Sequence, residues 1–183
     1  SLVLLTTSVP EKVLDTVKSR CHFIYFHPQA ADDLIAQLRK NYTLDEPSYH
    51  FLAYFAQGSA GAAMELGERQ FVDKKNELLD RFILSRPEDL QIKELLEDEE
   101  RTREFLDVLL SWIRDALMAK AGVEHQRFIH LDRVDDLTRF MRRYTFMELD
   151  ELNKSVVKMR QLLADNLNIK LPLLIIGEQL WEK

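Results

Sequence analysis

The chain has 183 residues, enough for one large domain or two small ones, and only 5 glycines and 5 prolines, which favours a mostly helical fold. Its net charge of −6 disfavours a protein whose main task is to grip a phosphate backbone. The single cysteine, Cys21, excludes an intramolecular disulfide framework and a multi-cysteine zinc site. No apolar run approaches the roughly 20 residues that span a bilayer.

Two short apolar segments near the beginning of the chain predict β-strands. Residues 2–5 show no polar alternation, which indicates a strand buried on both faces, and residues 22–26 form a second candidate. Between them, Ser8 and Glu11 have the spacing of a capping box and predict a short helix. Two strands cannot make a parallel layer. We therefore expect the chain to lack the earlier part of an α/β domain; the alternative is an apolar tail packed on a helical core.

After residue 28, apolar residues recur every three to four positions, which predicts a series of amphipathic helices. Asp45, the Ser85–Glu88 pair and the Thr145–Glu148 pair mark expected helix starts, and residues 58–61 form an expected tight turn into a helix. A small three-helix bundle comes first, we place a boundary between residues 67 and 75, and a larger bundle follows. A broad apolar face around Trp112 predicts a central helix. The last helix is apolar nearly all round, so we expect it to be buried in the domain or against a partner.

No motif of catalysis or metal binding stands out. The chain has no phosphate-cradling glycine-rich loop, no nucleophile elbow and no paired histidines or cysteines at metal-ligand spacing. The arginines Arg139, Arg142 and Arg143 are a candidate contact for an anion or a partner, and a solvated helix end is the alternative. These residues favour a helical binding module over an enzyme. We expect the scattered histidines to be surface or capping residues: His22, His27, His50, His125 and His130.

Three segments carry a resemblance to a known family. Residues 4–12 (LLTTSVPEK) and 16–21 (TVKSRC) closely resemble the end of the AAA+ domain in bacterial clamp-loader subunits of DNA polymerase III, with Ser19, Arg20 and Cys21 as the Ser-Arg-Cys motif of that family. Residues 58–66 (GSAGAAMEL) are similar to the beginning of the family's last lid helix. The family's collar pattern, Asn-x-Asn-x-x-Leu, is matched by Asn166, Asn168 and Leu171.

The resemblance implies a mainly α fold with three parts. Residues 1–27 would be the remnant of an AAA+ α/β domain with two short strands, 28–70 the helical lid, and 71–183 the collar that holds a pentameric loader together. Residues 2–5 would form the sensor-1 strand, which leads into Thr6 and Thr7.

The resemblance also implies a role. Gly61 stands where ATP-hydrolysing gamma/tau subunits have an arginine, and glycine supplies no charge to a phosphate, which favours the non-hydrolysing delta-prime type. Arg20, flanked by Ser19 and Cys21, would act as an arginine finger on ATP–Mg in a neighbouring subunit. The chain itself would bind no cofactor and no metal, and it would have no activity outside the DNA-directed DNA polymerase (nucleotidyltransferase) holoenzyme.

The implied partners are gamma/tau and delta clamp-loader subunits and, indirectly, the sliding clamp and primer–template DNA. The implied location is the bacterial cytoplasm, away from membranes. Two alternatives stay open: an ATP-hydrolysing gamma/tau-like subunit whose arginine has shifted to Arg69, and a helical scaffold outside replication that pairs through residues 171–181.

Overall fold

Helices make up nearly all the regular structure in the computed structural model, which describes residues 3–7, 9–165 and 167–181. The mainly α class predicted from composition and periodicity is confirmed. A π-helical turn at Leu79–Ile83 extends the fifth helix. The helices in chain order are α1 (Asp15–Lys18), α2 (Ala31–Asn41), α3 (Glu46–Phe55), α4 (Ala60–Glu68), α5 (Phe71–Leu78), α6 (Asp89–Glu97), α7 (Glu99–Lys120), α8 (Val134–Arg142), α9 (Phe146–Ala164) and α10 (Lys170–Trp181).

The two predicted strands do not form. Residues 3–7 and 22–30 have no regular secondary structure, and no strand occurs anywhere in the described part of the chain. A strand exists only where a neighbour pairs with its backbone N–H and C=O groups, and neither segment has one here. The alternative of an apolar tail packed on the core is also wrong for the described residues, since Leu4 is 81% exposed and Phe26 is 91% exposed. Leu2 and Ser8, the capping residue predicted before α1, lie outside the described residues.

Several helices begin where the sequence predicts that they begin. The side chain of Asp45 accepts a hydrogen bond from the backbone N–H of Ser48, the third residue of α3, and Ser59 accepts one from the third residue of α4. The predicted capping box at Ser85 and Glu88 is wrong, because α6 begins later, at Asp89, where Glu88 is the capping residue. Thr145 Oγ1 accepts from Glu148 N (3.2 Å), while Glu148 Oε2 accepts from Thr145 N (2.6 Å), so α9 starts with a complete capping box. These starts are encoded locally, because each cap satisfies N–H groups that the helix itself leaves unpaired.

The predicted central helix is α7. Trp112 and Phe105 on this helix are fully buried, and α7 packs against α5, α6, α8 and α9. The small bundle of α2, α3 and α4 packs on the larger one through α5 and the turn Leu131–Arg133. Buried apolar residues from Leu34 to Leu180 form one continuous core across both bundles. The division at residues 67–75 stays a prediction.

The turn between α3 and α4 holds the beginning of the small bundle in place. Gly58 has a φ of +83°, and its carbonyl oxygen accepts a hydrogen bond from Gln29 N (2.9 Å). A Cβ atom at Gly58 would lie 2.3 Å from the Cβ of Pro28 and 2.8 Å from its Cα, so the two chain segments would have to separate.

We expect Gly58→Ala to lower the free energy of unfolding by more than the ~1 kcal/mol that a left-handed backbone alone costs. Urea unfolding followed by circular dichroism measures the change. Gly61→Ala is the matched control: it lies in a helix and its new Cβ would meet nothing within 4 Å, so it should stabilise the chain by up to ~1 kcal/mol. Equal effects of the two substitutions would contradict this account.

Candidate functional site

The Ser-Arg-Cys segment is held by backbone hydrogen bonds that close α1. Ser19 N donates to Asp15 O (2.9 Å), Arg20 N donates to Val17 O (3.1 Å), and Cys21 N donates to the carbonyl of Lys18 (3.2 Å). The hydroxyl of Ser19 also donates to the carbonyl of Thr16 (3.3 Å). The three residues therefore continue the last turn of a short helix, and their backbone positions are coupled to it.

The side chain of Arg20 is uncommitted. It is exposed, and it makes no hydrogen bond or ion pair with any residue in the described ranges. Its position at the carbonyl end of α1 favours a cation there, but this effect is weak at the surface. Cys21 is exposed with a free thiol. The guanidinium is thus available to a group outside this chain.

The other residues singled out in the first part of the chain are also exposed. Thr7 Oγ1 accepts a hydrogen bond from Val9 N (3.0 Å), and this bond turns the backbone before α1. Thr6 lies next to Thr7 in the same exposed stretch. Gly61 lies in the first turn of α4, with open space on the side where a side chain would project. Nothing steric requires glycine at this position, since a longer residue would fit.

The collar residues sit at the start of α10. Asn168 Oδ1 accepts from Lys170 N (2.9 Å) and so fixes the chain as it enters the helix. Leu171, in the first turn, is 67% exposed. Asn166, the first residue of the predicted Asn-x-Asn-x-x-Leu pattern, lies outside the described residues.

One face of α10 is exposed, so the expectation that the helix is buried all round within its own domain is wrong, and burial of this face against a partner stays a prediction. Leu173, Ile176 and Leu180 are buried, and the helix packs on α9. Leu174 and Ile175 stay 41% and 48% exposed. With Leu171 they make a stripe with helical spacing on α10, which we call the α10 stripe.

A buried polar network that the sequence analysis missed joins the two bundles. Lys75 is fully buried, its Nζ lies 2.5 Å from Asp132 Oδ2, and it sits 4.9 Å from the ring centroid of Phe51 in α3. Burial lowers the pKa of Lys75, although Asp132 opposes this effect. A lysine at this place was detectable in principle, because it falls four residues after the core residue Phe71 and three before Leu78.

His130 is fully buried, so the expectation of a surface or capping histidine is wrong for this residue. Its Nε2 lies 2.9 Å from Ser111 Oγ, whose hydroxyl also lies 2.7 Å from Val108 O. Because the serine has one proton and gives it to that carbonyl, Nε2 is the donor in the first bond. Burial, reinforced by nearby positive charges such as Lys75, holds the pKa of His130 well below its ordinary range. The ring is therefore neutral.

Asp115 ties the loop before α8 to α7. Its Oδ2 accepts from Ile129 N (2.7 Å) and His130 N (2.9 Å), and its Oδ1 pairs with Arg114 Nη1 (2.7 Å). Burial raises the pKa of Asp115 to about 6, and these hydrogen bonds limit the shift. Since Asp115, His130 and Lys75 have no exposed surface, a substrate cannot reach them, and the network serves packing.

Metal-binding clusters and membrane-spanning helices are both absent from the described residues. Within residues 3–7, 9–165 and 167–181, no group of three or more His, Cys, Asp or Glu side chains is arranged to hold a metal ion. Among the same residues, no helix combines the length and apolarity that crossing a bilayer requires.

Comparison with known proteins matches residues 69–180 to one family, described as DNA polymerase III, delta subunit, C terminal. No curated protein matches the chain. The matched range covers more than half of the chain, from the end of α4 to the last turn of α10, and includes the whole buried polar network. The chain therefore belongs to the family defined by the C-terminal part of DNA polymerase III delta subunits, which are clamp-loader proteins that act in DNA replication.

Proposed function

We propose that this chain is a non-hydrolysing, delta-prime-type subunit of a bacterial clamp loader. It presents Arg20 to ATP–Mg held by a neighbouring gamma/tau-type subunit and joins its partners through the α10 stripe. The observation that carries the proposal is the exposed guanidinium of Arg20, which has no partner among the described residues and follows directly on α1.

The chemistry of this role requires an arginine. Phosphoryl transfer concentrates negative charge on the phosphate oxygens, and a planar guanidinium neutralises that charge with two parallel hydrogen bonds. Ser19 and Cys21 set the position of Arg20 and do not take part in the reaction. The nucleotide belongs to the neighbour, so the isolated chain binds none and hydrolyses none; any polymerase activity is that of the holoenzyme.

The proposal is tested by reconstituting the loader with Arg20→Ala and measuring DNA-stimulated ATP hydrolysis in a single turnover. A fall in hydrolysis with assembly retained supports the proposal, and unchanged hydrolysis overturns it.

Two features favour this role over an ATP-hydrolysing gamma/tau-like subunit. Gly61 offers no charge to a phosphate in its own subunit. Arg69, the alternative source of that charge, pairs with Glu100 (2.7 Å), Glu65 (3.6 Å) and Glu104. A guanidinium surrounded by three carboxylates is already neutralised and is a poor ligand for a triphosphate.

The α10 stripe predicts how the subunit assembles. We expect Leu171→Asp combined with Ile175→Asp to prevent this chain from co-eluting with gamma/tau and delta subunits in size-exclusion chromatography, because burying two carboxylates in an apolar interface is strongly unfavourable. The circular dichroism spectrum should stay unchanged, since both side chains are exposed in the monomer.

Leu90→Asp on α6 is the matched control, because Leu90 is 63% exposed and lies outside the stripe. Retained co-elution of the stripe variant would argue against assembly through α10. Association of the chain with itself, and with none of the clamp-loader subunits, would favour the scaffold alternative.

A further inference from the structure

A basic and apolar surface lies where α8 ends and α9 begins. Arg142 and Arg143 are exposed, and shortly after them Phe146 is 53% and Met147 72% exposed. We call these four residues the α8–α9 corner. The capping box at Thr145 fixes the start of α9 immediately before Phe146 and Met147. The exposure of these side chains is therefore built into a well-defined helix start.

The guanidinium of Arg143 is ordered by aromatic rings and not by an acid. Its Cζ lies 5.3 Å from the ring centroid of Phe140 and 5.6 Å from that of Tyr144, and the two rings are themselves 4.9 Å apart. Stacking of this kind restricts the side chain and leaves the N–H groups at the edge of the guanidinium free to donate. Because the side chain is already ordered in the free protein, binding of an anion loses less conformational entropy.

The positive charge of the corner is uncompensated. Neither Arg142 nor Arg143 forms an ion pair with any residue that the structure describes, whereas Arg139, one turn earlier, pairs with Asp136. This contrasts with a chain whose net charge is −6. Two unpaired arginines beside two exposed apolar side chains match a ligand that supplies both carboxylates and apolar groups.

We propose that the α8–α9 corner binds a short acidic segment of a partner protein that carries aromatic or aliphatic side chains. Carboxylates of the segment pair with Arg142 and Arg143, and its apolar side chains pack on Phe146 and on the adaptable thioether of Met147. Nucleic acid fits less well, because a polyanion is held by an extended array of cations and its backbone offers nothing to the apolar pair. An anionic membrane also fits less well, because a charged bilayer surface is held by a cluster of several Lys or Arg side chains and the corner has two.

The inference stands apart from the proposed clamp-loader role. Arg20 and the α10 stripe belong to other segments, and corner variants leave both intact. A negative peptide-binding result would therefore not contradict the proposals on ATP hydrolysis and assembly. Negative results for those two proposals would likewise leave the peptide-binding proposal intact.

Fluorescence anisotropy with the 183-residue chain tests the proposal. The probe is a fluorescein-labelled peptide in which aspartates and glutamates alternate with leucine and phenylalanine. We expect R142Q/R143Q and, separately, F146S/M147S to weaken its binding at least about tenfold, as expected for the loss of two charge-assisted contacts or of an apolar contact of this size. The matched controls R86Q/R127Q and L90S change exposed residues elsewhere and should bind the probe as the parent does.

Several outcomes overturn the proposal. A peptide in which serine replaces leucine and phenylalanine must bind more weakly, and equal binding would remove the role of the apolar pair. Corner-dependent binding of oligo(dT) or of anionic vesicles in place of the peptide would assign the surface to nucleic acid or lipid. Self-association that the corner variants abolish would make a second copy the occupant.

Thermal unfolding of each variant verifies that it is folded, and R142K/R143K, which keeps the charge, should restore part of the affinity.

Discussion

Replacing Arg20 with alanine should slow ATP hydrolysis at the nucleotide site that we propose it faces by on the order of a thousandfold or more, the usual effect of an arginine finger supplied in trans. The reason is electrostatic, since the guanidinium acts on charge that develops only in the transition state and in a site from which water is excluded. Binding of ATP to the neighbouring subunit should change little.

Single-turnover hydrolysis in the reconstituted loader is the appropriate measurement, because ATP sites of the proposed assembly that Arg20 does not face would mask its loss at steady state. Arg20→Lys keeps the charge without the planar fork and should recover only part of the rate. Arg127→Ala removes another exposed arginine that is unpaired within the described residues, and it should leave hydrolysis unchanged. Full activity of the Arg20→Ala loader would rule out the finger.

The second large effect concerns the ion pair between the fully buried Lys75 and the partly exposed Asp132. We expect Asp132→Ala to lower the free energy of unfolding by about 3–5 kcal/mol, because it leaves the fully buried ammonium of Lys75 without its partner. Lys75→Met should cost much less, since the carboxylate of Asp132 keeps 20% of its side-chain surface in water and is more easily solvated. Urea unfolding of both variants measures this asymmetry.

The pH dependence of the Asp132→Ala variant provides an independent check. Burial lowers the pKa of Lys75 below its ordinary value of 10.5, and removing the carboxylate lowers it further. The unfolded chain then binds more protons than the folded chain between the two pKa values, so stability rises with pH through that window. Asp135 is an exposed residue of α8. The Asp135→Ala variant should therefore show neither the loss of unfolding free energy nor its rise with pH. A greater loss for Lys75→Met than for Asp132→Ala would contradict the account.

The buried network illustrates why charged residues are difficult to place from sequence. Lys75 occupies a position with the periodicity of the core, but lysines at such positions usually lie at a helix edge with the ammonium in water. Only the loop after α7, which brings Asp132 to the same place, makes burial of the ammonium tolerable. The same loop carries His130, whose partner Ser111 is 19 residues away in sequence.

The sequence by itself determined the features that depend on neighbouring residues: the mostly helical class, the helix starts at Asp45 and Thr145, and the apolar periodicity that makes α7 central. Each is local, because a cap or an amphipathic face acts within a few residues of itself. Tertiary structure alone decided that residues 3–7 and 22–30 stay unpaired, that one face of α10 is exposed, and that Lys75 and His130 are buried. These outcomes depend on contacts between segments far apart in the chain, since a strand requires a neighbour and burial requires a covering surface.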